Sequence, residues 1–255
     1  MRLRAGATAQ AFDDFRHAVE TDPRDIEALD GLARAAARAG RLDEAEQVLR
    51  HVAAAFRSAP ALVELSKVLA ARGRSDEATD TARDAVLLDP ANGAAFEQLA
   101  WMYADRRDVD ALAQLVRVVD GLPAHRAVGL YARASIAHLQ GDLEHAASAG
   151  EQLVAVSRSA NALNLLGSIR AARGEYDAAK RALDDSLALV PGDAVVRTNL
   201  GVLELRSANP AAAAERFSEA LFLQPTLATA LDGLAQALER LGQRRRAEAI
   251  RRLIR

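Results

Sequence analysis

Residues 160–191, ANALNLLGSIRAARGEYDAAKRALDDSLALVP, decide the fold. Small and apolar residues recur at helical spacing in two blocks, which predicts amphipathic helices from Ala160 to Ala172 and from Asp177 to Leu189. Gly174-Glu175-Tyr176 supplies the turn between them, and Pro191-Gly192 the stop. Leu163, Leu166 and Gly167 share the inner face of the first helix; Ala179, Leu183 and Ser186 share that of the second. A pair of this size leaves its outer faces uncovered, so it needs neighbours of the same build.

The chain supplies them. An alanine early in the second helix recurs at Ala11, Ala45, Ala78, Ala111, Ala146, Ala179, Ala213 and Ala247, in steps of 33 to 35 residues. Five residues before most of these stands a glycine (Gly6, Gly40, Gly73, Gly141, Gly174, Gly242), where a first helix must end. Twelve residues after them comes proline, at Pro23, Pro90, Pro123, Pro191 and Pro225, where the second helix must stop. A leucine followed by a small residue marks the first helices at Leu32-Ala33, Leu65-Ser66, Leu99-Ala100, Leu166-Gly167, Leu200-Gly201 and Leu234-Ala235.

With A-x3-F elements at Ala11/Phe15 and Ala213/Phe217, this pattern resembles the tetratricopeptide repeat family, whose period is about 34 residues. The resemblance implies an all-α, right-handed solenoid of stacked helix-turn-helix repeats as one domain over 1–255. Its parts would be a partial repeat (1–25), full repeats (26–58, 59–92, 93–126, 127–159, 160–193, 194–227) and a C-terminal repeat or cap (228–255). Met1 to Ala5 would then be the stub of a first helix, and a fragment or a shortened start is expected. Two copies depart from the pattern. The turn at Arg106-Arg107-Asp108-Val109 lacks glycine and counts one residue short. The next copy puts Arg133 where a core leucine belongs; a buried unpaired charge would cost several kcal/mol, about 3–5 in measured cases, so this helix is rotated or Arg133 reaches an edge. A local change of superhelical curvature is expected there.

Composition limits what such a solenoid does. Aromatic residues make up only 4% of the chain, so its core is built from alanine and leucine. The formal charge of −2 argues against a protein devoted as a whole to nucleic acid or an anionic membrane, and no nucleic-acid partner and no membrane span are expected. Without cysteine there is no disulfide, thiolate zinc site or cysteine nucleophile. No apolar run follows the N-terminal arginines as in a signal peptide, and none is long enough to span a bilayer, so a cytoplasmic protein is expected. Only Lys67 and Lys180 are lysines among 33 basic residues, a usage typical of GC-rich bacterial genomes.

Catalytic chemistry finds no foothold. The histidines form no i, i+4 pair; His138 and His145 flank one turn, and a structural role is expected for both. Phosphate loops and nucleophile elbows are absent. Acid pairs at Asp13/Asp14, Asp43/Glu44, Asp76/Glu77 and Asp184/Asp185 fall at or near expected helix starts, where they complement the helix dipole. No catalytic residue, metal ligand or cofactor is therefore assigned.

The resemblance places the first helices along a concave groove, at positions between the packed leucines. Projected onto this chain, the groove holds Gln98, Trp101, Tyr131, His138, Asn164, Ser168, Thr198 and Asn199. Rings supply buried area and amides bond both N–H and C=O of a backbone, so this set suits an extended peptide of another protein. The lysine, arginine and asparagine clamp for C-terminal carboxylates, found in some family members, is missing here: Lys67 and Arg34 have acidic neighbours. Arg244, Arg245, Arg246, Arg251 and Arg252 form either a solvated cap or an anion-binding patch. The reading is a non-enzymatic interaction scaffold. Its alternative is the recognition arm of a larger enzyme, such as a glycosyltransferase or a processing enzyme, whose catalytic part lies outside this chain. An open N-terminal face would favour self-association.

Overall fold

The computed structural model describes residues 2–253, with side-chain environments from Thr8 onward, and every regular element in that span is helical. In order these are α1 (Arg2–Thr21), α2 (Ile26–Ala39), α3 (Leu42–Phe56), α4 (Ala59–Ala71), α5 (Ser75–Leu88), α6 (Gly93–Asp105) and α7 (Val109–Val119). A 3-10 turn, η1 (Pro123–His125), leads into α8 (Arg126–Gln140) and α9 (Leu143–Val156). Then come α10 (Ala160–Ala172), α11 (Tyr176–Leu189), α12 (Ala194–Arg206), α13 (Pro210–Leu223), α14 (Ala228–Arg240) and α15 (Arg244–Arg251).

The helix ends follow from side-chain chemistry. First helices open on short polar caps: Asp25, Ser58, Asn92, Ser159 and Asp193 each accept at least one backbone N–H of the following turn. They close on a left-handed residue, as at Gly174 with φ of 81°. Two copies do this without glycine, at Arg107 (φ 56°) and Ala208 (φ 59°).

Arg107 corrects the reading of its turn. Three residues join α6 to α7, as three join α10 to α11, so nothing is missing. The register instead shifts by one: Leu112 is fully buried and Ala111 half-buried, which restores steps of 34 residues from Ala78 to Leu112 and on to Ala146. Phe12 likewise takes the fully buried place expected for Ala11. The stub before Gly6 does not form either, because α1 runs unbroken through Gly6. A mid-helix glycine costs only about 1 kcal/mol, whereas a helix of one turn has too little surface to be held by packing. Two acid pairs also move away from helix starts: Asp13/Asp14 lie in the middle of α1 and Asp184/Asp185 in the second half of α11. There Asp13 meets Arg41 at 2.7 Å, Asp184 meets Lys180 and Asp185 meets Arg158, both at 2.6 Å.

The chain divides into two compact units, Met1–Ala132 and Arg133–Arg255. In the first, α2 packs on α4 and α4 on α6, and Phe12, Leu29, Leu32, Leu49, Leu69 and Met102 form one core cluster. In the second, α10 packs on α12 and α12 on α14, around Leu183, Leu200 and Phe217. Close approach explains the leucine-small pairs. A Cβ on Gly201 would stand 2.7 Å from the Phe217 ring, and one on Gly233 2.4 Å, so this fully buried ring wedges between two helices that carry no side chain there. Its burial contributes about 2–3 kcal/mol. Gly167 admits Leu183 in the same way. Arg133 is exposed, so no charge is buried at the place expected for a core leucine.

Candidate functional site

In the first unit, α6 sets Glu97, Trp101 and Asp105 four residues apart, hence on one face. Trp101 is half-buried and packs against the core that contains Met102, so one side of the indole is anchored. Glu97 and Asp105 stay solvent-exposed, yet neighbouring groups strip enough hydration to raise both carboxyls above their ordinary range. On the helices before it, Lys67 reaches Glu64 at 2.6 Å and Asp30 at 3.8 Å, and Arg34 pairs with Asp30 at 2.5 Å. Glu64 is buried, its Oε2 has no hydrogen-bond partner, and desolvation outweighs Lys67 to raise its carboxyl. Tyr131 is half-buried against the Phe96 cluster. Gln98 is not on the accessible face: it is buried and donates through Nε2 to Ser66 Oγ at 3.1 Å, because it shares the buried side of α6 with Ala95, three residues before it, and Met102, four after it.

In the second unit the two asparagines meet directly. Asn199 Nδ2 donates to Asn164 Oδ1 at 2.7 Å and to Ser168 Oγ at 3.4 Å, joining α12 to α10. All three residues are half-buried. The sequence spacing of 35 residues suggests a slipped register, but side-chain reach closes the gap. This cluster leaves the Asn164 amide N–H pair and the Asn199 carbonyl oxygen uncommitted, one donor group and one acceptor side by side. Thr198 falls outside it: the side chain is buried and its hydroxyl donates to Ala194 O at 2.8 Å within α12. His138 is half-buried, while His145 is exposed; its backbone N–H donates to Asp142 at 3.2 Å and its ring bonds the same carboxylate at 2.7 Å, which together lower that carboxyl. Among the described residues no three His, Asp or Glu side chains converge as a metal set, and no helix is long and apolar enough to cross a membrane.

Arg244, Arg245, Arg246, Arg251 and Arg252 are all exposed along and just after α15; Arg255 lies outside the described residues. Arg251 pairs with Glu239 at 2.5 Å, and Arg246 donates to Gln243. Sequence reasoning missed what stands beside them, an open cleft between α13 and α15 with a volume of about 1060 Å³. Its one sequence-level sign is Phe222, a phenylalanine off the repeat pattern, which is 72% exposed.

Residues 2–65 match the sequence model of the tetratricopeptide repeat family. No curated protein matches the chain significantly. Among solved structures, a tetratricopeptide repeat protein from Parabacteroides merdae is similar with a TM-score of 0.60 at 13% identity, over 92% of this chain and 94% of that one. A chain of the APC/C hetero-tetramer Cut9–Hcn1 gives 0.58 at 18% identity, over 92% of this chain and 46% of that one. A thermophilic tetratricopeptide repeat protein from Thermus thermophilus gives 0.54 at 23%, over 72% of this chain and 99% of that one. The chain thus has the fold of tetratricopeptide repeat proteins, and its residues 2–65 match that family by sequence.

Proposed function

We propose that the chain is a protein-interaction scaffold whose first helices hold an extended peptide segment of a partner. The observation that carries this is the Asn199–Asn164–Ser168 cluster on α10 and α12. The internal bonds fix the amide orientations in advance, and the uncommitted donor and acceptor match the N–H and C=O that a peptide backbone presents. Trp101, anchored on one side only, offers a further contact for an apolar or cationic side chain. The hetero-tetramer among the similar structures supports association with other chains as the use of this fold.

The test is a random-peptide display selection on the full chain, followed by calorimetry of the selected peptides. Asn199→Ala and Trp101→Ala, each checked for unchanged helicity, should weaken binding by about tenfold or more. If selected peptides bind both variants as they bind the native chain, the first-helix face is not the site.

A further inference from the structure

The cleft beside the terminal arginines is built mainly from three helices, with Arg197 contributed by α12. Leu234 and Leu238 of α14 form its deep floor, Phe222 and Leu223 of α13 one wall, and Ala249 and Ile250 of α15 the other. Both walls pack on α14. Phe222 stands 72% exposed at the lip, a large apolar area held in water.

The charge of this cleft is one-sided. Glu219 is shared by Arg216 at 3.2 Å and Arg197 at 3.7 Å, so its charge is spent within the walls. Glu215 is the other carboxylate lining the cleft. Arg246 reaches only the neutral Gln243 side chain, and Arg244 and Arg245 flank it on the same exposed turn. The cleft lining carries three arginines to two glutamates, and α15 adds Arg244, Arg245 and Arg251 against Glu248, so arginine remains in excess. The walls are helices whose backbone N–H and C=O groups are bonded internally, so they cannot add a strand; an occupant must satisfy its own backbone. A helix does so, and its anchors at i, i+3, i+4 and i+7 suit an elongated apolar floor.

We propose that this cleft docks an amphipathic helix of a partner protein, with leucine-like anchors on the floor and an acidic flank against α15. This surface is built on α13, α14 and α15, with Arg197 as its one lining residue from α12, and it shares no residue with the Asn164 and Asn199 cluster.

The probes are two labelled model helices of about 16 residues, long enough to be partly helical alone. Both carry the same leucine stripe, one with glutamate and the other with lysine elsewhere. Anisotropy titrations with the full chain should show the glutamate helix binding at least about tenfold tighter than the lysine helix, with affinity falling as salt rises. Phe222→Ser and Arg246→Glu, both at exposed positions and checked by thermal melts, should each weaken the glutamate helix by about tenfold, whereas Asn199→Ala should not. The proposal is overturned if neither helix binds, if both bind alike, or if Phe222→Ser and Arg246→Glu leave the affinity unchanged. It is also overturned if the same variants abolish binding to phosphatidylserine vesicles while the glutamate helix fails to bind, or if sedimentation shows a dimer of this chain that Phe222→Ser dissociates.

Discussion

At the scale of single residues, the Phe217 ring is positioned by what its neighbours lack. Gly233→Ala or Gly201→Ala puts a methyl group within 2.4 or 2.7 Å of that ring, and neither the ring nor two packed helices can yield cheaply. Each substitution should cost about 1–3 kcal/mol, read as a fall in the urea midpoint. Arg107 and Ala208 present the opposite case, side chains held in the left-handed region where other copies use glycine. Arg107→Gly or Ala208→Gly should stabilise by about 0.5–1 kcal/mol, since relief of that strain exceeds the added freedom of the unfolded chain. Glu64 gives a pH dependence. Burial raises its carboxyl above the ordinary range despite Lys67, so the folded state binds its proton more tightly than the unfolded state. Its contribution to stability is then lost as pH rises from the ordinary glutamate value through the raised one. Glu64→Gln should remove that slope, and its stability relative to the native chain should be higher at about pH 7 than at about pH 4 by urea titration. An unchanged slope would place the titration elsewhere.

At the scale of elements, second helices are held to the next pair by ions as well as by core. Glu46 of α3 is buried, accepts from Arg74 at 2.7 Å and from Arg72, and forms an ion pair with Arg50 at 2.8 Å, linking α3 to the α4–α5 turn. Glu46→Ala would leave three arginines without their shared acceptor. A loss of about 2–3 kcal/mol is expected, below the fully buried limit because the arginines keep water contact. Ser159→Ala removes the cap of α10 and should cost about 1 kcal/mol, with faster amide exchange confined to the first turn. The glycine turns and most of the alanines early in the second helices were readable in advance, because they are local in sequence, whereas Phe12 and Leu112 take that buried place in α1 and α7. The Glu46 junction was not, since its partners lie 26 and 28 residues away and only packing brings them together.

At the scale of the molecule, helices within each unit touch their own partner and the neighbouring pair, as α4 touches α5, α2 and α6 and α12 touches α13 and α14, so stability is expected to spread by nearest neighbours. Gly233→Val, a larger intrusion on Phe217, should lower amide protection in α12, α13 and α14 while leaving α2 to α6 as in the native chain. Hydrogen exchange resolved by mass spectrometry checks this, and an even loss over all helices would instead mean one cooperative unit. The sequence alone determined the helix-pair grammar, its period and the alanine-leucine core, since these depend on spacing along the chain and on intrinsic backbone preferences. Tertiary structure alone decided which polar side chains remain accessible. Gln98 and Thr198 read like Trp101 and Asn199 in register but are buried, and Asn164 and Asn199 satisfy part of each other's hydrogen bonding. The cleft between α13 and α15 also exists only when three helices stack, because it is the space their side chains leave unfilled. Accessibility of this kind depends on the rotation of each helix by a fraction of a turn, and packing against neighbours sets that rotation.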